Sequence, residues 1–177
     1  MRGKSHVIKN ERIKLRPMEI EDGKHLYKWK NSEEVFKYLG GGFKPQSFFE
    51  LNEFLPQLCR ITEKNYRFII LNAKNNLPIG LIGLYDINNI HRNCEVGLYI
   101  GDEDYLNMGI GTDALKLIED YAKNYLNIRK ISLSVVSENI GAVSFWEKNS
   151  YKLVGVKKKD RYIQGKYCDV EIREKFL

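Results

Sequence analysis

The chain has 177 residues, of which 43% are hydrophobic and 29% charged, and its formal net charge is +6. This length and composition predict one globular domain over residues 1–177 that buries about 70% of the surface of the unfolded chain. The N-terminus is basic but continues without a long apolar stretch, so we expect neither a signal peptide nor a membrane span. The three cysteines and three histidines are too widely spaced for a metal site or a disulfide framework, which indicates reduced thiols in a cytoplasmic protein.

The basic excess is scattered along the chain, and Lys157-Lys158-Lys159 is its one tight run. No recognition helix or aromatic platform accompanies this run, so we interpret it as a solvated strand end or turn and expect no nucleic-acid partner. A mild positive excess favours anionic ligands such as a polyphosphate cofactor.

The first third of the chain predicts one strand followed by helices. Residues 13–17 alternate apolar and basic side chains and end at a proline, as in a short half-buried edge strand. Acidic residues at 19–22 precede an inward pair, Leu26 and Trp29, and predict a helix whose first turn is acidic. A helical turn ending at the glycines 40–42 and an amphipathic helix over residues 48–58 follow.

From residue 66 the apolar period becomes that of strands. Two strands joined by a turn-forming cluster predict an antiparallel hairpin, and a later strand–helix–strand order predicts a parallel crossover. The predicted strands are 66–71, 79–85, 94–100 and 130–136, the helices run from the glycine turn to about 124 and over 139–149, and 154–163 with 167–176 form a final hairpin.

Residues 105–112, Tyr-Leu-Asn-Met-Gly-Ile-Gly-Thr, place two glycines at the start of a helix, soon after an apolar strand. The first turn of a helix has unpaired N–H groups and a partial positive charge, so bare backbone there binds phosphate. The spacing fits both the dinucleotide pattern G-x-G-x-x-A and the shorter pyrophosphate turn of acyl-CoA-dependent transferases.

The position of these glycines favours the second interpretation. A dinucleotide fold has them in its first βαβ unit, whereas here they follow helices and an antiparallel meander, and residues 101–108 separate the strand from the helix. A dinucleotide site also has an acidic residue about 20 residues further on, and this chain has none at that distance. Glu138 is further away, beyond the next strand. A nicotinamide-dinucleotide-binding enzyme is therefore the minor alternative.

The order of these elements resembles that of the GNAT acyl-CoA-dependent N-acetyltransferases, in the branch of ribosomal-protein N-terminal and spermidine acetyltransferases. This resemblance implies a mixed α/β fold whose central sheet splays between its fourth and fifth strands, with flanking helices and a C-terminal β-hairpin. The matching pieces are Leu15-Arg16-Pro17 with Asp22, His91-Arg92 before Glu95-Val96-Gly97, the turn at 105–112, Asn139 with Ala142, and Gly165-Lys166-Tyr167 with Asp169.

The resemblance also implies acetyl-CoA as cosubstrate, without a metal. The strand backbone would pair with the pantetheine arm, the turn amides would bind the pyrophosphate, and Asn139 would touch the arm from the other side. The family has Gln or Arg at Leu106 and often Gly at Asn107, so cofactor affinity in this chain depends more on the main chain. The implied cofactor-binding residues are Leu98, Tyr99, Ile100, Leu106, Asn107, Met108, Gly109, Ile110, Gly111, Thr112 and Asn139.

Acetyl transfer needs a neutral amine, and an alkylamine with a pKa near 10.4 costs roughly 4–5 kcal/mol to deprotonate at pH 7, far more than an α-amine. Glu95, on the strand beside the expected thioester, is our candidate general base. Pairing of Glu95 with Arg92 or Lys130 is the structural alternative. Glu33 and Asp86 are weaker candidates for steering the amine.

Many members of the family have a tyrosine as general acid on the helix after Asn139, and the matching position here is Trp146. Indole donates a hydrogen bond but does not exchange its proton near neutral pH. A hydroxyl from Tyr99, Tyr162 or Tyr167 and protonation of the thiolate by water remain open.

We therefore expect a cytoplasmic N-acetyltransferase that moves acetyl from acetyl-CoA to a primary amine by direct transfer in a ternary complex. A protein N-terminus and a small amine, such as a polyamine or an aminoglycoside, remain open as acceptors. The net charge disfavours a polycation, although Glu33-Glu34, Glu50 and Glu53 would give an acidic local pocket. The alternative from another class is a non-catalytic acyl-CoA-binding or regulatory domain, and a homodimer is compatible with the sequence.

Overall fold

A computed structural model describes residues 8–177 of the chain. The basic start that we used to argue against a signal peptide, including His6, lies outside the described residues. The described strands are β1 (Ile8–Lys9), β2 (Ile13–Pro17), β3 (Tyr66–Asn72), β4 (Pro78–Asn88), β5 (Asn93–Ile100), β6 (Lys130–Val136), β7 (Lys152–Ile163) and β8 (Lys166–Phe176); the helices are α1 (Gly23–Lys30), α2 (Glu33–Phe36), α3 (Phe48–Leu58), α4 (Ile110–Tyr125) and α5 (Ile140–Lys148), with 3-10 turns at Ile20–Asp22 and Glu103–Tyr105.

Within the described residues these strands form one mixed sheet in the order β1-β2-β3-β4-β5-β6-β8-β7. Its pairs are antiparallel, as hairpins and meanders require, apart from the parallel pair of β5 and β6. The predicted crossover is confirmed, because α4 connects β5 to β6. The predicted C-terminal hairpin, β7 with β8, is also confirmed.

The parallel pair is short, and this shortness positions the site. Asn93, Cys94 and Glu95 pair with Lys130, Ile131 and Ser132, and no register pair follows in either strand. β5 nevertheless continues to Ile100 and β6 to Val136. The sheet therefore opens between β5 and β6. These are the fourth and fifth predicted strands, because the two-residue β1 was not predicted, so the splay that the resemblance implied is confirmed.

Each face of the sheet carries its own apolar core. The helices α4 and α5 cover one face, where Ile110, Leu115, Ile118 and Trp146 pack among buried strand residues. The helices α1 and α3 cover the other face through residues such as Trp29 and Leu55. Because side chains alternate along a strand, β5 contributes to both cores.

Two local predictions for the N-terminal region were wrong. β2 is not the edge strand, because the two-residue strand β1 pairs with it through Ile8 and Leu15. The acidic residues before Leu26 form a separate 3-10 turn, and α1 begins at Gly23. Asp22 is buried there because Arg16 donates to both of its carboxylate oxygens at 2.7 Å.

Candidate active site at the opening of the sheet

A cavity of about 480 Å³ lies where β5 and β6 separate. Its volume is typical of small-molecule and cofactor sites. Strand β5, the turn and first residues of α4, helix α5 with its cap, and the turn around α2 form its walls. The lining residues are Glu34, Val35, Lys37, Tyr38, Leu39, Leu98, Tyr99, Ile100, Tyr105, Leu106, Asn107, Gly109, Ile110, Gly111, Thr112, Asn139, Ala142, Phe145 and Trp146.

The turn before α4 has the backbone that an anion seat needs. Asn107 and Gly109 have φ angles of 59° and 78°, in the left-handed region. Asparagine tolerates this region better than most residues, so Asn107 meets the backbone requirement at a position where the family often has glycine. The first helical bond of α4 runs from Asp113 N to Gly109 O. The amides between these two residues therefore have no helical acceptor, and the turn offers several free N–H groups beside the cavity.

Gly111 lets the start of α4 lie close to α5 and β5. A Cβ atom at this position would lie 3.2 Å from the Phe145 ring and 3.6 Å from Leu98. The first of these distances is tighter than ordinary packing. Gly111 thus allows close packing of the start of α4 against α5 and β5 at the cavity.

Asn139 caps α5, because its Oδ1 accepts from Ala142 N at 3.3 Å. Asn139 also lines the cavity. Capping by Asn is a common way to begin a helix, and here it also fixes the amide at the wall of the cavity.

The sequence did not predict that the turn around α2 forms a wall of the site, because its pattern indicates only a helical turn that ends at glycines. Val35, Tyr38 and Leu39 line the cavity. The final hairpin holds this segment in place: Arg161 donates to Tyr38 O at 3.0 Å, and Gln164 donates to Glu33 at 2.8 Å. These contacts join residues more than 120 positions apart, which local sequence patterns do not encode.

Glu95 lies at the closed end of the opening, outside the cavity wall. It is exposed and is the last β5 residue in register with β6, opposite Ser132. The predicted alternative partners are engaged elsewhere, because Lys130 pairs with Glu174 at 2.7 Å and Arg92 donates to Asn127. The alternative pairing of Glu95 with Arg92 or Lys130 is therefore not seen among residues 8–177.

Three other predicted site residues also lie outside the cavity wall. Glu33 accepts from Gln164, while its neighbour Glu34 lines the cavity. Asp86 is exposed in an irregular part of β4, with φ at 50°. Met108 has an exposed side chain, and its main-chain oxygen faces Arg12.

Trp146 is buried at the inner wall of the cavity. Its ring meets Phe145 and Tyr151 edge to face, with ring centroids 4.8 and 5.1 Å apart. Among residues 8–177, the structure gives its indole N–H no hydrogen-bond acceptor. Trp146 is thus a packed aromatic residue of the cavity wall.

The tyrosine hydroxyls considered as alternative acids do not suit that task. Burial raises the pKa of Tyr99 far above its usual range, and its ring packs against Trp29 and Phe36. Tyr162 and Tyr167 form an exposed pair at the tip of the final hairpin and do not line the cavity.

Within the described part of the chain, no three His, Cys, Asp or Glu side chains are grouped as metal ligands. Over the same residues, every helix is too short or too polar to cross a membrane.

A family model described as "Acetyltransferase (GNAT) domain" matches residues 12–152 of the chain. The chain belongs to the GNAT acetyltransferase family. The spermidine N(1)-acetyltransferase of Escherichia coli K12 is 30% identical over 157 residues, which cover 88% of this chain and 81% of that protein. The enzyme of the same name from Vibrio cholerae is 30% identical over 164 residues, which cover 92% of this chain and 91% of that protein.

Solved structures agree with the sequence relatives. The spermidine N-acetyltransferase of Vibrio cholerae in complex with CoA and spermine superposes with a TM-score of 0.84 at 28% identity, covering 94% of this chain and 96% of that one. A dodecameric structure of the Vibrio cholerae enzyme has a TM-score of 0.79 at 27% identity, covering 94% and 95%. These findings confirm the predicted family, its fold and an N-acetyltransferase activity. The dinucleotide interpretation of the glycine turn is thereby excluded.

Proposed function

We propose that this N-acetyltransferase transfers acetyl from acetyl-CoA directly to a primary alkylamine of the polyamine class. The observation that carries the proposal is the opening of the sheet beyond Glu95, which leaves a cavity bordered by the unpaired end of β5 and by the free amides of the glycine turn. The reaction takes place in one ternary complex, in the cytoplasm, within a single domain over residues 1–177.

The residues at the cavity fit the cofactor. Beyond Glu95, β5 has no partner on its β6 side, so Leu98 and Ile100 offer main-chain groups to the amides of a pantetheine arm. Of the turn amides from Leu106 to Thr112, that of Leu106 donates to Glu103 O. The amides of residues 107–112 have no acceptor among the described residues and suit the pyrophosphate at the helix N-terminus. When bound, acetyl-CoA supplies an activated thioester and a thiol leaving group.

The acceptor class follows from the relatives and from the charges near the opening. Two relatives are named as spermidine acetyltransferases, and an alkylamine acceptor needs a base more than an α-amine does. Glu95 is an exposed carboxylate without an ion-pair partner in the described chain, at the closed end of the opening. Glu34 and Glu103 lie at a second depression that adjoins the cavity and attract a polycationic amine.

We assign stabilisation of the leaving group to Trp146. A thiol with a pKa near 8.5 leaves as a thiolate without strong acid assistance. The available indole N–H of Trp146 stabilises that thiolate by donating a hydrogen bond, and water later supplies the proton.

Release of thiol from acetyl-CoA in the presence of single amines tests the proposal. We expect spermidine or spermine to give the highest kcat/KM among polyamines, an aminoglycoside and a peptide with a free N-terminus. Turnover of the peptide alone would replace the acceptor class that we propose. Binding of CoA without thiol release on any amine would instead support a non-catalytic acyl-CoA-binding domain.

We also propose that the chain self-associates, as a structural neighbour described as dodecameric does. The edge strand β7 exposes Leu153, Val154 and Val156, which is unusual for a monomer surface. Size-exclusion chromatography with light scattering should give a mass above that of one chain; a monomer at micromolar concentration would contradict this proposal.

A further inference from the structure

A side chain from outside the glycine turn, that of Arg12, binds the turn. Arg12, just before β2, donates through Nη1 to Asp113 Oδ2 at 2.9 Å and through Nη2 to the main-chain oxygen of Met108. A second contact comes from the same end of the sheet, where Asn72 Nδ2 donates to the Tyr105 hydroxyl at 3.2 Å. The N-terminal strands therefore clamp both ends of the segment that precedes α4.

We propose that Arg12 is a positioning residue for the pyrophosphate seat. It fixes the peptide between Met108 and Gly109 so that the N–H of Gly109 faces the phosphate, and it neutralises Asp113 beside the seat. This inference rests on the proposed use of acetyl-CoA.

Peptide geometry gives the first reason. In a trans peptide the C=O and the following N–H point in opposite directions within one plane. A guanidinium bound to the oxygen of Met108 on one side therefore directs the N–H of Gly109 to the other side, where Gly109 lines the cavity. Gly109, whose φ is 78°, has no Cβ to restrict its backbone, so this peptide needs a restraint from outside to keep one orientation.

Charge gives the second reason. Asp113 lies in the first turn of α4, where a carboxylate favours the helix but repels a bound phosphate. Residues 105–112 contain no Lys or Arg, so the turn itself supplies no compensating cation. Arg12 Nη1 lies 3.5 Å from the position that a Cβ of Gly109 would take, close enough to supply that charge.

The two contacts of Arg12 differ in what they fix. The side chain of Arg12 is 49% exposed, and that of Asp113 is 20% exposed. Ion pairs in such exposed positions contribute little. Both contacts are charge-assisted hydrogen bonds, but the one to the Met108 oxygen fixes the orientation of a peptide plane. The contact with Met108 is therefore the one that positions the seat.

The backbone of Arg12 is fixed independently of its side chain. Its N–H donates to Asn10 Oδ1 and its oxygen accepts from Ala73 N, each at 2.9 Å. Substitution of the side chain should therefore leave β2 in place, and Arg12→Met removes only the contacts to the turn.

Isothermal titration of the purified protein with CoA tests the inference without relying on catalysis. We expect Arg12→Met to weaken CoA binding by roughly tenfold or more, as loss of one charge-assisted hydrogen bond implies. Arg12→Lys should recover part of this loss, because lysine reaches one acceptor but lacks the planar fork. The matched control is Arg92→Met, which removes an arginine that also binds a turn, through Asn127 O at 2.8 Å, away from the cavity. It should bind CoA as the wild type does.

Asp113→Asn separates the carbonyl contact from the ion pair. We expect this variant to bind CoA at least as tightly as the wild type, because a phosphate-repelling charge is lost while Arg12 still reaches Met108. Weakening equal to that of Arg12→Met would overturn the role of the carbonyl contact.

The acyl donor provides a second readout. S-acetylpantetheine lacks the pyrophosphate, so Arg12→Met should lower kcat/KM for acetyl-CoA and leave kcat/KM for S-acetylpantetheine within about twofold of the wild type. An equal loss with both donors, or CoA affinity of Arg12→Met within twofold of the wild type, would overturn the inference and leave the proposed function intact. If the wild-type protein binds no CoA, both the inference about Arg12 and the proposed function are wrong.

Discussion

Glu95 can be tested as a base by removing its charge, because its exposure means that substitution costs little stability. We expect Glu95→Gln to lower kcat/KM for spermidine about 100-fold, the lower end for loss of a general base. The effect on a peptide α-amine should be under about threefold, since much of that amine is already neutral near pH 7. Steady-state kinetics with both amines measures the difference.

The control for Glu95 is Asp120→Asn, which removes one exposed carboxylate from α4. It should leave both rates unchanged. Equal losses on the two amines in Glu95→Gln would show that the carboxylate does not act as a base selective for alkylamines.

Substitutions of Trp146 test whether its indole N–H stabilises the leaving thiolate by donating a hydrogen bond. Trp146→Phe keeps an aromatic ring at the cavity wall but removes the donor, so we expect kcat with acetyl-CoA to fall roughly tenfold, as for a hydrogen bond to a developing charge. Trp146→Tyr loses similar volume but restores a donor, and it should recover most of the rate. Single-turnover kinetics at saturating amine checks both variants; equal rates for Phe and Tyr would contradict the role of the indole N–H.

At the scale of elements, the contact of α4 with α5 and β5 depends on Gly111. A leucine there would collide with Phe145 and Leu98, so we expect Gly111→Leu to weaken CoA binding more than tenfold and to lower the free energy of unfolding by about 1–3 kcal/mol. Titration with CoA and urea denaturation measure the two effects. Gly141→Ala is the control, because a Cβ at Gly141 meets no atom within 4 Å, and it should bind CoA normally.

The sequence was sufficient to predict elements whose signals are local. The helix Phe48–Leu58, the strand Lys130–Val136 and the final hairpin were predicted to within a few residues, because apolar period, caps and turns act over short distances. The glycine turn was recognisable because a phosphate can approach the unpaired amides of a helix start closely only where the side chains are as small as that of glycine. The position of β2 inside the sheet was not predictable, since β1 pairs over just two residues.

The residues around the cavity were less predictable from the sequence than the glycine turn at 105–112. Tyr38 and Arg12 reach the cavity or the turn through contacts with residues about 100 positions away. Neither residue carries a local pattern that distinguishes it from an ordinary surface residue. Trp146, in contrast, was found by its offset from Asn139, because helix α5 fixes that spacing.

For the whole molecule, titratable groups whose pKa values differ between the folded and unfolded states limit the pH range of stability. Burial, and secondarily the charge of Lys24, lowers the pKa of His25. As pH falls below about 6.5, the ordinary value, the unfolded state takes up the proton first and stability decreases. Hydrogen bonds from Lys166 and Lys158 lower the pKa values of Glu138 and Asp169. Stability therefore falls further once unfolded carboxyl groups begin to bind protons, below about pH 4.5.

The alkaline limit comes from Cys94, which is 3% exposed in the core between the sheet and α4. Burial raises the pKa of its thiol from 9.0 to about 12. Above pH 9 the unfolded state loses this proton first, so the stability that is fully present below pH 9 declines by at most about 1.4 kcal/mol per pH unit until the folded pKa is reached. Buried tyrosines such as Tyr151, whose pKa is also raised by burial, add to the decline from about pH 10.

Urea denaturation between pH 7 and pH 10.5, followed by tryptophan fluorescence, tests this alkaline limit. We expect the wild type to lose stability from about pH 9. Cys94→Ala should start from a lower stability, because it leaves a small cavity. It should decline less steeply between pH 9 and pH 10, because Cys59 and Cys168 are then the remaining thiols whose pKa is raised by burial. If both proteins lose stability in parallel between pH 9 and pH 10, the thiol is not the group that sets the alkaline limit.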